Sequence, residues 1–170
     1  MSKRTDSAVE SMRYVEERLK AHSNSEADEQ KLHDLLYLVQ REGYAIFQEP
    51  ILDASFASHP DGPRCVEMDS MIIRKSRLFH PASVLSERTI LVLNSVLEQY
   101  GTCSHEKLLE IIHKDDAWHS ARNNSNETFF GIIGHDLLEQ DSRKINVLRS
   151  LWYMDHNTFF DPAYSYHAYH

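Results

Sequence analysis

Ser86-Glu87-Arg88-Thr89-Ile90-Leu91-Val92-Leu93-Asn94-Ser95-Val96-Leu97-Glu98-Gln99-Tyr100-Gly101 carries the clearest structural signal in the chain. Ile90, Leu93, Val96 and Leu97 recur at steps of three and four, the repeat of one helix face. Ser86 stands where a hydroxyl can accept a hydrogen bond from a free N-terminal amide, and Gly101 where helices commonly stop. A capped helix with an apolar stripe over 86–100 is predicted as a central core element, and with it a mainly α fold.

The flanking segments read the same way. Val9, Met12, Val15 and Leu19 predict an amphipathic helix over Ser7 to Lys20, and Leu32, Leu35, Leu36 and Val39 a second from Asp28 to Glu42, ended or bent at Gly43. Downstream, Ser104 precedes a helix with Leu108, Ile111 and Ile112 inward, and Asp115 or Asp116 can cap a short one through Trp118 to Arg122. Phe129 to Leu138 reads as one more apolar helical stretch, and Ile145 to Met154 as another. The turn formers His59-Pro60-Asp61-Gly62-Pro63 lie between two apolar runs, so a small β-hairpin or ribbon is predicted over residues 51–68, the only clear β region. Met71 to Phe79, with Arg74, Lys75 and Arg77, reads as a surface connection.

A length of 170 residues suits one domain, 1–170, and five glycines with five prolines favour helices over a turn-rich sandwich. Eighteen Lys and Arg against 26 Asp and Glu give a formal charge of −8, which disfavours attraction to nucleic-acid phosphate and suits a basic protein partner. Cys65 and Cys103 lack CxxC spacing, and buried free thiols are expected. No leader and no apolar run of membrane-spanning length is read, so a cytoplasmic protein without membrane contact is expected.

No GxGxxG, P-loop, GxSxG or HExxH pattern occurs, and neither catalytic residues nor a cofactor are expected. His113, Asp116 and His119 share one helical face and offer the alternative of a metal-assisted hydrolase or nuclease. The ordinary reading of the same residues is a helix start with a packed Trp118, and no metal is expected. His33 and Asp34 read as solvated or helix-end residues.

Several blocks, in order, resemble the SocA-like (Panacea-domain) antitoxin family of bacteria and phages. They are Lys31-Leu32-His33-Asp34-Leu35-Leu36-Tyr37-Leu38-Val39-Gln40, then Ala45, Glu49-Pro50-Ile51-Leu52, Phe56 and Gly62-Pro63. Ser86-Glu87, Tyr100-Gly101, Leu108-Leu109, His113, Asp116-Ala117-Trp118 and Ala121-Arg122 follow. The resemblance spans residues 8–123 and leaves 124–170 as a C-terminal extension. Ala57 to Asp61 replaces an aromatic stretch of the family, and Ala117 stands where it more often has proline.

The resemblance implies an interaction protein that neutralises a cognate protein toxin, or an adaptor that presents the toxin to a AAA+ protease. It also sets Tyr37 and Gln40 near Pro63, where they either staple the ribbon to the helices or line a partner groove. The aromatic residues Phe159, Phe160, Tyr164 and Tyr166 are the remaining candidates for partner binding, since exposed aromatic side chains are common interface anchors.

Overall fold

The computed structural model describes residues 5–23, 28–68 and 84–156, with side chains of the last helix described as far as 145. The order is β1 (Asp6–Ser7), α1 (Ala8–Ser23), α2 (Glu29–Phe47), β2 (Leu52–Asp53), β3 (Phe56–His59), β4 (Gly62–Cys65), a 3-10 turn (Val66–Met68), α3 (Glu87–Tyr100), α4 (His105–Ile112), α5 (Asp116–Asn123) and α6 (His135–His156). The chain is mainly helical with a few short strands, as the periodicity predicts. Among the described residues no helix is long and apolar enough to cross a membrane.

The axis of the molecule is α2. Every residue from Leu32 to Ala45 is buried, because α1, α3, α4, α6 and β4 all pack around this helix. A helix covered on all sides needs apolar residues around its whole circumference, and Leu35, Leu36, Leu38 and Val39 provide them. Each such side chain contributes about 1.5–3 kcal/mol when fully buried.

Gly43 does not end the helix, which runs on to Phe47. A Cβ at 43 would sit 2.6 Å from Ile51 Cγ1, so the glycine serves close packing instead. The stop comes at Gln48, in the left-handed conformation (φ 57°), whose N–H donates to Tyr44 O at 2.9 Å.

Ser86 caps α3 as expected, accepting from Thr89 N at 3.4 Å. Asp6 Oδ2 receives both Ser86 N (2.8 Å) and Ser86 Oγ (2.6 Å), which ties β1 to the start of α3. The buried stripe of α3 is Thr89, Val92, Leu93, Val96 and Tyr100. Ile90 and Leu97 lie at its margin, partly exposed.

Strands β3 and β4 form the expected hairpin, with Phe56 opposite Cys65 and His59 opposite Gly62. The β structure extends further than 51–68. β1 pairs in parallel with β2, and Ile132 bridges Ala57 on the free side of β3. The stretch around Phe129 is therefore extended chain rather than helix. Gly131 and Ile133 are buried while Ile132 between them is exposed, an alternation of three residues, too brief to be read from sequence. Beyond Gly134, one continuous helix replaces the two expected there.

Candidate functional site

The polar residues of α2 define three junctions with the rest of the chain. Tyr37 and Arg41 are four apart and share a face. Both point at Asp115: Tyr37 Oη donates to Oδ2 at 2.8 Å, and Arg41 Nη1 donates to Oδ1 and Oδ2 at 3.1 and 3.2 Å. Arg41 Nη2 also donates to Tyr100 Oη at 3.4 Å. Arg41 and Asp115 are each 5 % exposed, so this is an interior ion pair. Burial pushes the Asp115 carboxyl upward, against the lowering influence of Arg41 and the Tyr37 hydroxyl. Burial, and then the Asp115 charge, hold the Tyr37 hydroxyl well above its ordinary value.

Asp115 occupies the N-cap position of α5 but makes no side-chain cap bond, its carboxylate being turned inward. Asp141 of α6 takes over that role, accepting Asp116 N at 3.2 Å and Ala117 N at 2.9 Å. One carboxylate thus neutralises Arg41 while another, from a different helix, supplies the missing cap.

Gln40 forms the second junction. Its Oε1 accepts Ile51 N and Leu52 N at 3.2 and 3.0 Å, and its Nε2 donates to Leu52 O at 3.0 Å. The carboxamide stands in for a neighbouring strand against β2. Tyr37 adds an edge-on ring contact to Phe56, with centroids 5.7 Å apart.

The third junction holds the glycine-proline turn. Gln30 Nε2 donates to Asp34 Oδ1 and to Pro63 O, both at 3.0 Å. His105 Nδ1 lies 2.5 Å from Asp34 Oδ2. Gly62 has φ 130°, and a Cβ there would come 2.8 Å from Asp34 Oδ1, so glycine is required by conformation and by contact. His33 Nδ1 accepts Cys65 N at 2.9 Å. His33 and Asp34 are thus 1 % and 0 % exposed rather than solvated, and burial raises Asp34 to about 6.

Tyr37, Gln40 and Pro63 are all buried and hydrogen-bonded within the chain. A partner would reach them only after lifting the ribbon from α2. Phe159, Phe160, Tyr164 and Tyr166, and likewise Met71 to Phe79, lie outside the described residues. Cys65 is buried and Cys103 partly so, both as free thiols.

His113, Asp116 and His119 are not gathered into a ligand set. The His113 ring stacks on Trp118 at 5.4 Å, His119 Nε2 meets the His113 carbonyl at 2.5 Å, and Asp116 pairs with Lys144. Among the described residues no group of three or more His, Cys, Asp or Glu could hold a metal ion. Trp118 is 3 % exposed, in accord with the packed reading.

Arg41, Asp141 and His105 were not legible as site residues in the sequence, and Asp115 was legible only as a helix cap. The available signal was Arg41 one turn after Tyr37 and close behind the apolar run Leu35 to Val39, where a cation drawn into the core needs an internal counter-ion.

Residues 30–119 match the model of the family described as antitoxin SocA-like, Panacea domain, a span of just over half the chain. No curated protein and no solved structure matches. The matched span holds α2, the β3–β4 ribbon, α3, α4 and both members of the Arg41–Asp115 pair. By that match, over more than half of its length, the chain belongs to the SocA-like, Panacea-domain antitoxin family.

Proposed function

We propose that this chain is a protein-interaction module that binds and neutralises a cognate protein toxin. The carrying observation is the family match over residues 30–119. Two features of the chain support the reading. The polar side chains with chemistry to offer, Asp34, Tyr37, Arg41 and Asp115, are engaged by other side chains of the chain inside the fold. The charge of −8 favours a basic protein over nucleic acid or an anionic membrane surface.

The same module can act as an adaptor, delivering the captured toxin to a AAA+ protease in the cytoplasm. We read residues 1–170 as one domain, with Phe159, Phe160, Tyr164 and Tyr166 as contact residues beyond the family span.

Depletion of the chain in its native host is the test. Growth should arrest, and suppressor mutations that restore it should fall in one gene, that of the toxin. Unimpaired growth after complete depletion contradicts the reading. Repeating the depletion and rescue without the host's AAA+ proteases separates the two modes: an adaptor no longer protects, whereas a stoichiometric inhibitor still does.

A further inference from the structure

The extended segment after α5 leaves a sheet edge open. Ser58 N donates to Gly131 O at 2.9 Å and Ile133 N to Phe56 O at 2.8 Å, which makes Ala57 and Ile132 a non-hydrogen-bonded antiparallel pair. In such a pair the N–H and C=O of each residue point away from the other strand. Those of Ala57 face β4, and those of Ile132 face outward. Among the described residues no hydrogen bond reaches Ile132 N or O.

This edge also carries apolar side chains, Phe129 at 56 % and Ile132 at 53 % exposure. The segment is held firmly. Asn126 Oδ1 accepts Phe129 N (2.7 Å) and Thr128 N (2.9 Å), Ser125 Oγ accepts Gly131 N (2.8 Å), and the Phe130 ring meets His59 at 4.7 Å. An ordered, apolar, unpaired edge is a template for an added strand.

The surrounding charge specifies the occupant. From Asn123 to Ser142 the sequence has Glu127, Asp136 and Glu139, besides the buried Asp141, and not one Lys or Arg. Glu127 and Asp136 are exposed, and Asp61, beside His59 at the hairpin tip, has a side chain 74 % exposed. A second copy of this chain would bring a like-charged rim against this one. We propose that the Phe129–Ile133 edge accepts an extended, apolar and basic segment of the protein partner as an added β-strand, an inference that rests on the interaction reading above. The edge lies outside the family-matched span, so it would set which partner is taken while the shared core sets the fold.

Two measurements decide it. The first titrates the whole protein with a capped peptide of alternating valine and lysine, and separately with alternating valine and glutamate, while following backbone amides by NMR. The lysine peptide should shift residues 129–133 and slow exchange of the Ile132 amide at least tenfold, and the glutamate peptide should not. No protection at Ile132, equal effects of both peptides, or self-association that covers the edge overturns the proposal.

The second complements the depleted host with Phe129→Ser/Ile132→Pro. Proline at 132 removes only the outward-facing N–H and no existing ladder bond. A protein that melts as the parent does but no longer protects growth supports the edge, and full protection overturns it. If depletion of the parent chain causes no arrest, it is the antitoxin reading that fails, and the peptide titration still decides the edge.

Discussion

At the scale of single residues, charges enclosed by the fold are where one substitution costs most. Removing one partner of a buried ion pair leaves the other uncompensated, at a cost of about 3–5 kcal/mol, whereas replacing both with apolar residues is often neutral. Asp115→Ala should therefore lower unfolding stability by about that amount, and Arg41→Met with Asp115→Leu should recover most of it. Urea denaturation checks this, and a loss under about 1 kcal/mol in Asp115→Ala would mean that Arg41 finds water or another anion. Asp34 yields a pH prediction. Burial raises it to about 6 from 3.8, with Gln30 and His105 pulling the other way. A carboxyl whose folded value lies above its unfolded one is favoured in its protonated form by folding. Its contribution is present in full below pH 3.8 and is lost as pH rises towards 6. Asn cannot titrate, so the melting temperature of Asp34→Asn minus that of the parent should increase across this window and level off above it. A difference flat with pH would show that His105 cancels the shift.

At the scale of elements, Gly43 separates intrinsic propensity from packing. In an exposed helix Gly→Ala gains about 1 kcal/mol. Here the new methyl would lie 2.6 and 2.9 Å from Ile51 Cγ1 and Cδ1, and Ile51 is itself fully buried. Gly43→Ala should thus destabilise, by about 1–3 kcal/mol, and Ile51→Ala in the same chain should relieve part of the loss. Thermal melts of the two variants check the sign. The helices were legible because their apolar stripes and caps are local: Ser86 and Ser104 accept from Thr89 and Lys107 as their positions predict. The burial of His33 and Asp34 was not legible, because it arises from the ribbon and α4 closing over α2 from distant parts of the chain. Nor was the inward turn of Asp115, since a local rule gives it the cap, and only the arrival of Asp141 from α6 frees it for Arg41. The extended run at Phe129 eluded periodicity for a similar reason, its partner strand lying more than seventy residues upstream.

At the scale of the whole molecule, a central helix sheathed by its neighbours keeps its polar chemistry inside, so the proposed binding falls to the surface around it. Beyond the family span the described surface offers the Phe129–Ile133 edge, and the sequence adds Phe159, Phe160, Tyr164 and Tyr166. Deleting 159–170 should leave a cooperatively folding protein whose capture of its partner is weaker by at least about tenfold, or roughly 1.4 kcal/mol. Loss of cooperative melting would instead make that segment part of the core. The interaction reading as a whole is tested most directly by titrating the purified chain into the purified product of the gene in which depletion suppressors fall, followed by calorimetry and by the toxin's own activity. The result predicted is a stoichiometric complex of sub-micromolar Kd, about −8 kcal/mol or tighter, with toxin activity abolished at equivalence. An absence of binding heat, together with undiminished toxicity at excess chain, would contradict it.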